Sequence, residues 1–401
     1  MAENAFAFFR GAAAVMAADL ARKPHSGLMV QLCGDAHLLN FGFYGSPERQ
    51  LLFDINDFDE THPGPFEWDV IRLATSLLLA GRSLGFSDKQ QAKVCRRGVQ
   101  AYAEAIADFA AMPLIKMWVA KLPLEDLIEQ RSKGSLKAHL KQVTAMALQR
   151  NSRQAVRKLC ELDNNGTLLF RHQPPLIWRY SLLPSEALSG MDWRHRIDIM
   201  YAEYLASIRP DLRRLLNQFR MSDVAFKAVG VGSVGTRCAI GVFVGEQPDD
   251  VLVIQSKQAE PSVLAPYVHD VESVPSHQGQ RVVEGQRLMQ TASDAFLGWT
   301  TTPEGTHLYW RHFRDWKGSV DVTQLDAEGL QDYGKLCAWT LAKAHARSGD
   351  RQKIHAVIRD SKLFARTIHE QALEHADLAV QDHQALLQAI AEGRLETSSV
   401  Y

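Results

Sequence analysis

The feature of this sequence that most constrains its fold is a change in hydrophobic periodicity near residue 222. Upstream, apolar residues recur at helical spacing over long segments. Residues 226–259, FKAVGVGSVGTRCAIGVFVGEQPDDVLVIQSKQA, instead alternate or run in β-branched residues around glycines, which predicts two or three antiparallel strands. Helical spacing returns after Pro275. The sequence therefore predicts an α+β fold in which a small antiparallel β unit interrupts a mainly helical chain.

We expect three consecutive units, which are helical over residues 1–220, β-rich over 221–320 and helical again over 321–401. Ser87 followed by Asp88 is a favourable N-cap for the second of two helices predicted between residues 66 and 115. The other predicted helices cover residues 5–24, 131–160, 193–221, 279–290, 326–347 and 351–392.

Two polar loops near the N-terminus contain the densest chemistry in the chain. Asp35, His37 and Asn40 lie in the glycine-flanked stretch GDAHLLNFGFYG, which we predict to be a loop, and Asp57 and Asp59 follow the strand-like LLFDI. Phosphoryl transfer needs a carboxylate to orient the attacking hydroxyl, and Asn and Asp oxygens to hold Mg²⁺ on the phosphates. The two loops supply both kinds of group.

Between residues 50 and 71 there are six acidic residues and no Lys or Arg. Crowded carboxylates repel one another, and a divalent cation relieves that repulsion. A turn cluster in which Asp and Asn cap the local backbone is the structural alternative, and we expect Asp54 and Glu60 to be structural or solvated.

A glycine-rich segment at residues 230–235, GVGSVG, matches the GxGxxG pattern. A dinucleotide-binding turn would open a helix, whereas the residues that follow here, TRCAIGVFVG, are strand-like, as in a kinase-type glycine loop. We expect the backbone amides around Gly230, Gly232, Ser233 and Gly235 to bind nucleotide phosphates.

Lys257 lies one short hairpin beyond these glycines, in VLVIQSKQA. Its ammonium group is predicted to reach the nucleotide phosphates, and Glu284 is the candidate to pair with it. Glu260 or Glu272 are alternative partners, and an ordinary exposed strand lysine is the alternative for Lys257 itself.

Charge and cysteine content restrict the class of protein. The 45 Lys+Arg against 46 Asp+Glu give a net charge of −1, which disfavours general nucleic-acid binding. Residues 131–160 contain eight basic residues and no acid, which is typical of a solvated helical face or of a docking site for an anionic substrate. Five scattered cysteines without a CxxC pair, and no apolar run of about 20 residues, predict a cytoplasmic protein with no membrane span.

Several segments resemble motifs of the aminoglycoside phosphotransferases and choline kinases. GDAHLLN is similar to their HGDxHxxN motif, with Cys33 in place of the first His; FDINDFDE is similar to their metal-binding segment, and FEWDVIRLATSL to the helix that follows it. The resemblance implies that Asp35 is the catalytic base, that Asn40 and Asp57 are metal ligands, and that Asp69 supports the catalytic loop.

The order of these motifs is reversed relative to an ordinary kinase, in which the glycine loop and its lysine come first. LCAWTLAKAHARSGD resembles the helix that leads into the catalytic loop, and would bring His345 and Arg347 close to it. The resemblance implies a circularly permuted, protein-kinase-like two-lobe fold, with a mainly helical large lobe and a small antiparallel β lobe inserted into it.

As a whole, the chain resembles the bacterial domain-of-unknown-function family 2252. The motifs that carry this likeness are FAFFRGAA, CGDAHLLNFG, FDINDFDE, GVGSVGTRC, VVEGQRLMQ, DAFLGW and AHARSGD. Members of that family begin further upstream of FAFFRGAA, so we expect this chain to lack a basic segment that precedes the motif in its relatives.

These patterns predict an ATP-dependent phosphotransferase that uses Mg²⁺ or Mn²⁺ and acts on a hydroxyl or amine of a small molecule or protein. Asp35 and His37 are the predicted catalytic residues, and Asn40, Asp57 and Asp59 the predicted metal ligands.

Three other functions fit parts of the pattern. A nucleotidyl transferase would use the same site with ATP in another orientation. A nucleotide-sensing module would bind ATP without turnover. A metallohydrolase would use Asp35, His37, Asp57, Asp59 and His62, and would leave the glycine loop and Lys257 without a role.

Overall fold

The computed structural model describes residues 1–129, 134–183, 190–227, 238–247, 249–269, 274–313 and 316–395. It is a mixed α+β structure with antiparallel sheets, which confirms the predicted class. The helices are α1 (Ala5–Gly11), α2 (Ala13–Leu20), α3 (Phe66–Ser83), α4 (Asp88–Ala111), α5 (Leu114–Trp118), α6 (Leu124–Glu129), α7 (Ser135–Gln149), α8 (Ser152–Leu159), α9 (Trp193–Ser207), α10 (Pro210–Leu216), α11 (Gln278–Met289), α12 (Ala327–Ser348), α13 (Arg351–Val357) and α14 (Ser361–Ala391). The strands are β1 (Met29–Leu32), β2 (Phe41–Gly45), β3 (Leu51–Ile55), β4 (His62–Pro65), β5 (Leu122–Pro123), β6 (Cys160–Leu162), β7 (Leu168–Phe170), β8 (Ile177–Arg179), β9 (Arg220–Lys227), β10 (Cys238–Val244), β11 (Val251–Gln258), β12 (Gly298–Thr301) and β13 (His307–His312).

Helices α3, α4, α12 and α14 pack together as a bundle. The Ser87 capping box that begins α4 is present, with the Ser87 hydroxyl accepting from the backbone N–H of Gln90. Gly98 of α4 and Gly334 of α12 both face Leu77 of α3, and a Cβ at either glycine would lie 2.8 Å from a Leu77 methyl carbon. The two glycines therefore let three helices approach closely around one leucine.

Six described strands form an antiparallel sheet in the order β12-β13-β11-β10-β9-β8. Its pairing places Lys257 opposite Tyr309 and Gln255 opposite Arg311. Because alternate residues of a strand point to the same face, these four side chains share one face of the sheet. Helix α9 packs on the other face, where Ile254 and other apolar residues are buried.

The sheet draws on residues from before position 220. Strand β8 and helix α9 both lie in the first predicted unit, yet β8 pairs with β9 and α9 packs against β12. The helix predicted over residues 193–221 is two helices, because Pro210 cannot continue α9 and instead begins α10. The predicted loop over residues 34–45 is also partly wrong, because its second half is strand β2, which pairs with β3.

Two small sheets carry the polar loops. Strand β1 pairs with β4, and β2, β3 and β5 form a second sheet that lies beside α12. An ion pair between Asp54 of β3 and Lys343 of α12 is buried in this contact. Burial raises the pKa of Asp54 and lowers that of Lys343, so that each charge depends on the other.

All five cysteines are buried and free. None of the described helices is long and apolar enough to cross a membrane.

Removing one member of the Asp54–Lys343 pair should strongly destabilise the fold, because the other charge would remain buried without a partner. We expect Lys343→Met to lower the free energy of unfolding by about 3–5 kcal/mol, and Asp54→Asn combined with Lys343→Met to recover part of that loss. Urea unfolding followed by circular dichroism measures both. Lys353→Met, which removes a surface ion pair with Asp350, is the control and should cost at most about 1 kcal/mol.

Candidate functional site

A cleft of about 500 Å³ lies between the two polar loops and the six-stranded sheet. Six of the predicted site residues line it, namely Asp35, His37, Asn40, Asp57, Asp59 and Lys257. Lys257 is about 200 positions away from the others in the sequence, and the pairing of β11 within the sheet brings it to them.

The loop that carries Asp35 is fixed by Asp69 in the first turns of α3. Its carboxylate accepts the backbone N–H groups of Cys33 at 2.8 Å and Gly34 at 3.1 Å. His345 of α12 lies 3.4 Å from the same carboxylate. Gly34 has a φ of +80°, and a Cβ there would collide with the carbonyl of Glu60, so this position requires glycine.

Asp35 itself is paired with Arg72, a residue of α3 that the sequence patterns did not single out. The guanidinium Nε lies 2.5 Å from the Asp35 Oδ1 and is almost completely buried. Burial alone would raise the pKa of Asp35, but Arg72 and His37 more than offset this and hold it below its usual value. Asp35 is therefore an ionised carboxylate near neutral pH, and its side chain remains partly exposed to the cleft.

His37 and Asn40 shape the same loop. The Nδ1 of His37 accepts the backbone N–H of Leu39 at 3.2 Å, and its Nε2 lies 3.5 Å from Asp35. Burial lowers the pKa of His37 from 6.5 to about 4, so the ring is neutral at pH 7. The side-chain nitrogen of Asn40 donates a hydrogen bond to the backbone carbonyl of Asp35 at 2.8 Å. The side-chain oxygen of Asn40 takes no part in this bond.

Lys257 pairs with Asp59 and not with Glu284. The Lys257 ammonium group contacts the Asp59 carboxylate, which also accepts the Tyr309 hydroxyl at 2.7 Å. Burial disfavours the charged lysine, but Tyr309, Asp59 and Asp57 together outweigh this and raise its pKa above the ordinary value. Glu284 is exposed on α11 and accepts a hydrogen bond from Gln280, so the predicted pair is not formed.

Arg281, on the buried side of α11, joins the two walls of the cleft. Its guanidinium group donates to the carbonyl of Asp59 in the second polar loop, to that of Thr61 just after this loop, and to that of Glu260 just after β11. Arg281 and Glu284 are three residues apart on α11 and are neighbours on its surface, so helical spacing alone does not predict that one is buried and the other exposed. Arg281 binds backbone carbonyls and the side-chain oxygen of Gln278, and such contacts leave no signature in the sequence.

Arg311 of β13 is a further cation of the cleft. Its Nε donates to Gln255 at 2.9 Å. Burial opposes the charge on Arg311, while Asp57 and Asp59 favour it, and its pKa is raised. On Asp57, burial opposes ionisation, but Lys257 and Arg311 outweigh it and lower the pKa. The alternation of β13 is the only sequence signal for Arg311, and it does not distinguish this arginine from a solvated one.

The described donors suit a hard cation only in part. Asn40 and Asp57 offer oxygen ligands on the same cleft, and Mg²⁺ commonly takes one or two protein oxygens and completes its shell with phosphates and water. Within the ranges given above, no group of three or more His, Cys, Asp or Glu side chains converges on a point. A cation here would therefore depend on a bound phosphate for its remaining ligands.

Other predicted residues lie elsewhere. Gly230, Gly232, Ser233 and Gly235 are outside the described residues. Arg347 is not in the cleft; it stacks on the Trp118 ring with its guanidinium carbon 3.9 Å from the ring centre.

Comparison with known families agrees with the sequence motifs. The family model described as "Uncharacterized protein conserved in bacteria (DUF2252)" matches residues 1–389, and the chain belongs to that family. Neither the curated proteins nor the solved structures include a match to the chain.

The buried, neutral His37 should make stability depend on pH. The unfolded state takes up a proton near pH 6.5 and the folded state only near pH 4, so His37 favours unfolding increasingly as the pH falls between these values. Relative to the wild type, His37→Asn, which keeps an acceptor for the Leu39 N–H, should gain on the order of 3 kcal/mol between pH 7.5 and pH 4.

Urea unfolding at several pH values measures this difference. His195→Asn, on the exposed side of α9, is the matched control and should show no such trend. A difference between His37→Asn and the wild type that does not change with pH would contradict the neutral, buried state of this histidine.

Proposed function

We propose that this member of the family is an ATP- and Mg²⁺-dependent phosphotransferase with a permuted, kinase-like arrangement of its two parts. The observation that carries the proposal is that Asp35, Asn40 and Asp57 face Lys257 across one cleft. These are the residue types that phosphoryl transfer requires, and they come from three separate segments.

Asp57 and Asp35 have different cationic neighbours in the cleft. Lys257 and Arg311 are the main cations that act on Asp57, whereas Asp35 is paired with Arg72. We assign the Asp57 end to the phosphates of the nucleotide and the Asp35 end to the acceptor.

Asp35 then acts by orientation more than by strong basicity. Its lowered pKa keeps it ionised, so one carboxylate oxygen can accept a hydrogen bond from the acceptor hydroxyl while Arg72 holds the other. A weak base is sufficient because phosphoryl transfer passes through a loose transition state in which the nucleophile is still largely protonated.

Asn40 and Asp57 would hold Mg²⁺. The ion, when bound, neutralises charge on the transferred phosphoryl group. Lys257 binds phosphate oxygens at the sheet wall, with Asp59 and Tyr309 fixing its direction.

Loss of either carboxylate should abolish phosphate transfer, and circular dichroism checks that each variant still folds, because Asp35→Asn leaves the buried Arg72 without its carboxylate. We expect Asp35→Asn to lower kcat at least 100-fold with little change in ATP affinity, because the nucleotide lies at the other end of the cleft. Asp57→Asn should lower both the rate and the Mg²⁺ dependence. ATP labelled at the α or γ phosphate, incubated with metabolite and protein pools, measures transfer.

Undiminished turnover in both variants would contradict the proposal. Transfer of the α label instead of the γ label would reassign the site to nucleotidyl transfer, with the same residues in use.

The partner of Lys257 gives a second test. Asp59→Asn should weaken ATP binding roughly tenfold or more, because the ammonium group loses the carboxylate that directs it. Glu284→Gln is the matched control and should bind ATP like the wild type, since Glu284 is exposed. Calorimetric titration with ATP and Mg²⁺ measures both, and a stronger effect of Glu284→Gln would contradict the assignment.

A further inference from the structure

We propose that Arg10 binds a carboxylate or phosphate group of the acceptor, so that the substrate of this site is a small anionic alcohol. This inference rests on the proposed phosphotransferase function and specifies its substrate class.

Arg10 lies in the last turn of α1 and lines the cleft beside Asp35 and His37. Helix α1 is anchored through the buried Phe6, Phe8 and Phe9. The Phe9 carbonyl accepts from the Arg72 guanidinium at 2.9 Å, and the Phe9 ring lies under the same group, 4.2 Å from its central carbon. The residue before Arg10 is thus attached to the arginine that holds Asp35.

The guanidinium group of Arg10 is incompletely hydrogen-bonded. Its Nε is buried and has no acceptor within the part of the chain that the structure describes. Among the residues that the structure describes, none of the carboxylates lies within 4 Å of its guanidinium group. By contrast, Arg72 is paired with Asp35 and Lys257 with Asp59. A buried, unsatisfied donor on a charged group is costly, and a planar guanidinium matches a carboxylate or phosphate in geometry.

The acidic residues of the cleft do not cancel this charge. Asp59 is occupied by Lys257. Glu60 accepts the backbone N–H of Val263 at 2.8 Å, and burial raises its pKa. Glu3 lines the cleft and is exposed. Asp35 is paired with Arg72, so Arg10 is a cation of the cleft with no carboxylate partner among the described residues.

Small residues form part of the wall around Arg10. Ala7, Gly11, Ala13 and Ala14 line the cleft together with Met1, whose side chain lies against Gly11. The same oxyanion chemistry is present in the nucleotide itself, but Lys257 and Arg311 belong to the sheet wall, whereas Arg10 directly follows Phe9, whose carbonyl binds the arginine that is paired with Asp35. Arg10 therefore serves the acceptor end.

The reaction balances without a further reactant. The acceptor hydroxyl oxygen forms a bond to the γ-phosphorus of ATP, and the bond between that phosphorus and the β–γ bridging oxygen breaks. The bridging oxygen leaves on ADP with the electron pair, and the hydroxyl proton passes to the Asp35 carboxylate and then to water. Arg10 stays bound to the anionic group of the acceptor throughout.

A binding experiment with the full chain tests this role. The protein is first saturated with Mg²⁺ and a non-hydrolysable ATP analogue, which fills the nucleotide end, and is then titrated with glycerate, glycerol 3-phosphate or neutral glycerol. We expect at least one anionic probe to bind tenfold or more tightly than glycerol. Arg10→Gln should remove that preference and leave analogue binding unchanged, and Arg10→Lys should keep part of it. Arg97→Gln removes the same charge from an exposed position on α4 and should behave like the wild type.

An equal affinity of the wild type for the anionic probes and glycerol would overturn the inference, as would an unchanged preference in Arg10→Gln. Weaker analogue binding in Arg10→Gln would also overturn it, because Arg10 would then contact the nucleotide. If the analogue does not bind the wild type, the proposed function fails instead, and the anion titrations without nucleotide still decide whether Arg10 binds an oxyanion.

Discussion

The ion pair between Lys257 and Asp59 is the interaction on which the arrangement of the cleft depends. It crosses from the six-stranded sheet to the second polar loop, and Lys257 lies where burial would otherwise disfavour its charge. The Tyr309 hydroxyl completes the shell of Asp59 from the neighbouring strand. Because Asp59 follows Asp57 by two residues, the same contact that directs the lysine also sets the position of the predicted metal ligand. A shift of the sheet wall at Lys257 would therefore also shift the second polar loop, and a shift of the loop would move the lysine.

Much of the local structure could be predicted from the sequence, because helices and strands are specified by neighbouring residues. The capping box at Ser87 and the helical spacing after it identify α4, and the β-branched runs identify β10 and β11. The first polar loop was harder, because the glycines of its second half resemble a loop, while long-range pairing with β3 makes it a strand. Near Pro210 the apolar spacing predicts one continuous helix, but this single proline begins a second helix instead.

The residues of the site also differ in whether the sequence predicts them. Asp35, His37, Asn40, Asp57 and Lys257 were predictable because they lie in compact motifs with recognisable chemistry. Arg72, Arg281 and Arg311 were not, because each acts on a group that is distant in sequence. The choice between Asp59 and Glu284 as the partner of Lys257 likewise depends on how α11 is rotated against the sheet. Periodicity predicts that α11 has a buried side, but not which residue across the sheet that side will meet.

The carbonyl contacts of Arg281 have a consequence for how molecules enter and leave the cleft. One guanidinium group holds Asp59 and Thr61 on one side and Glu260 on the other, so widening the cleft at this edge would break several buried hydrogen bonds together. The two walls of the cleft are therefore held together at that edge. Another part of the cleft is lined by α1 and α2, two short helices of 7 and 8 residues. We expect substrate to enter and product to leave the cleft past these helices. The packing of α1 and α2 would then set the rates of substrate binding and product release.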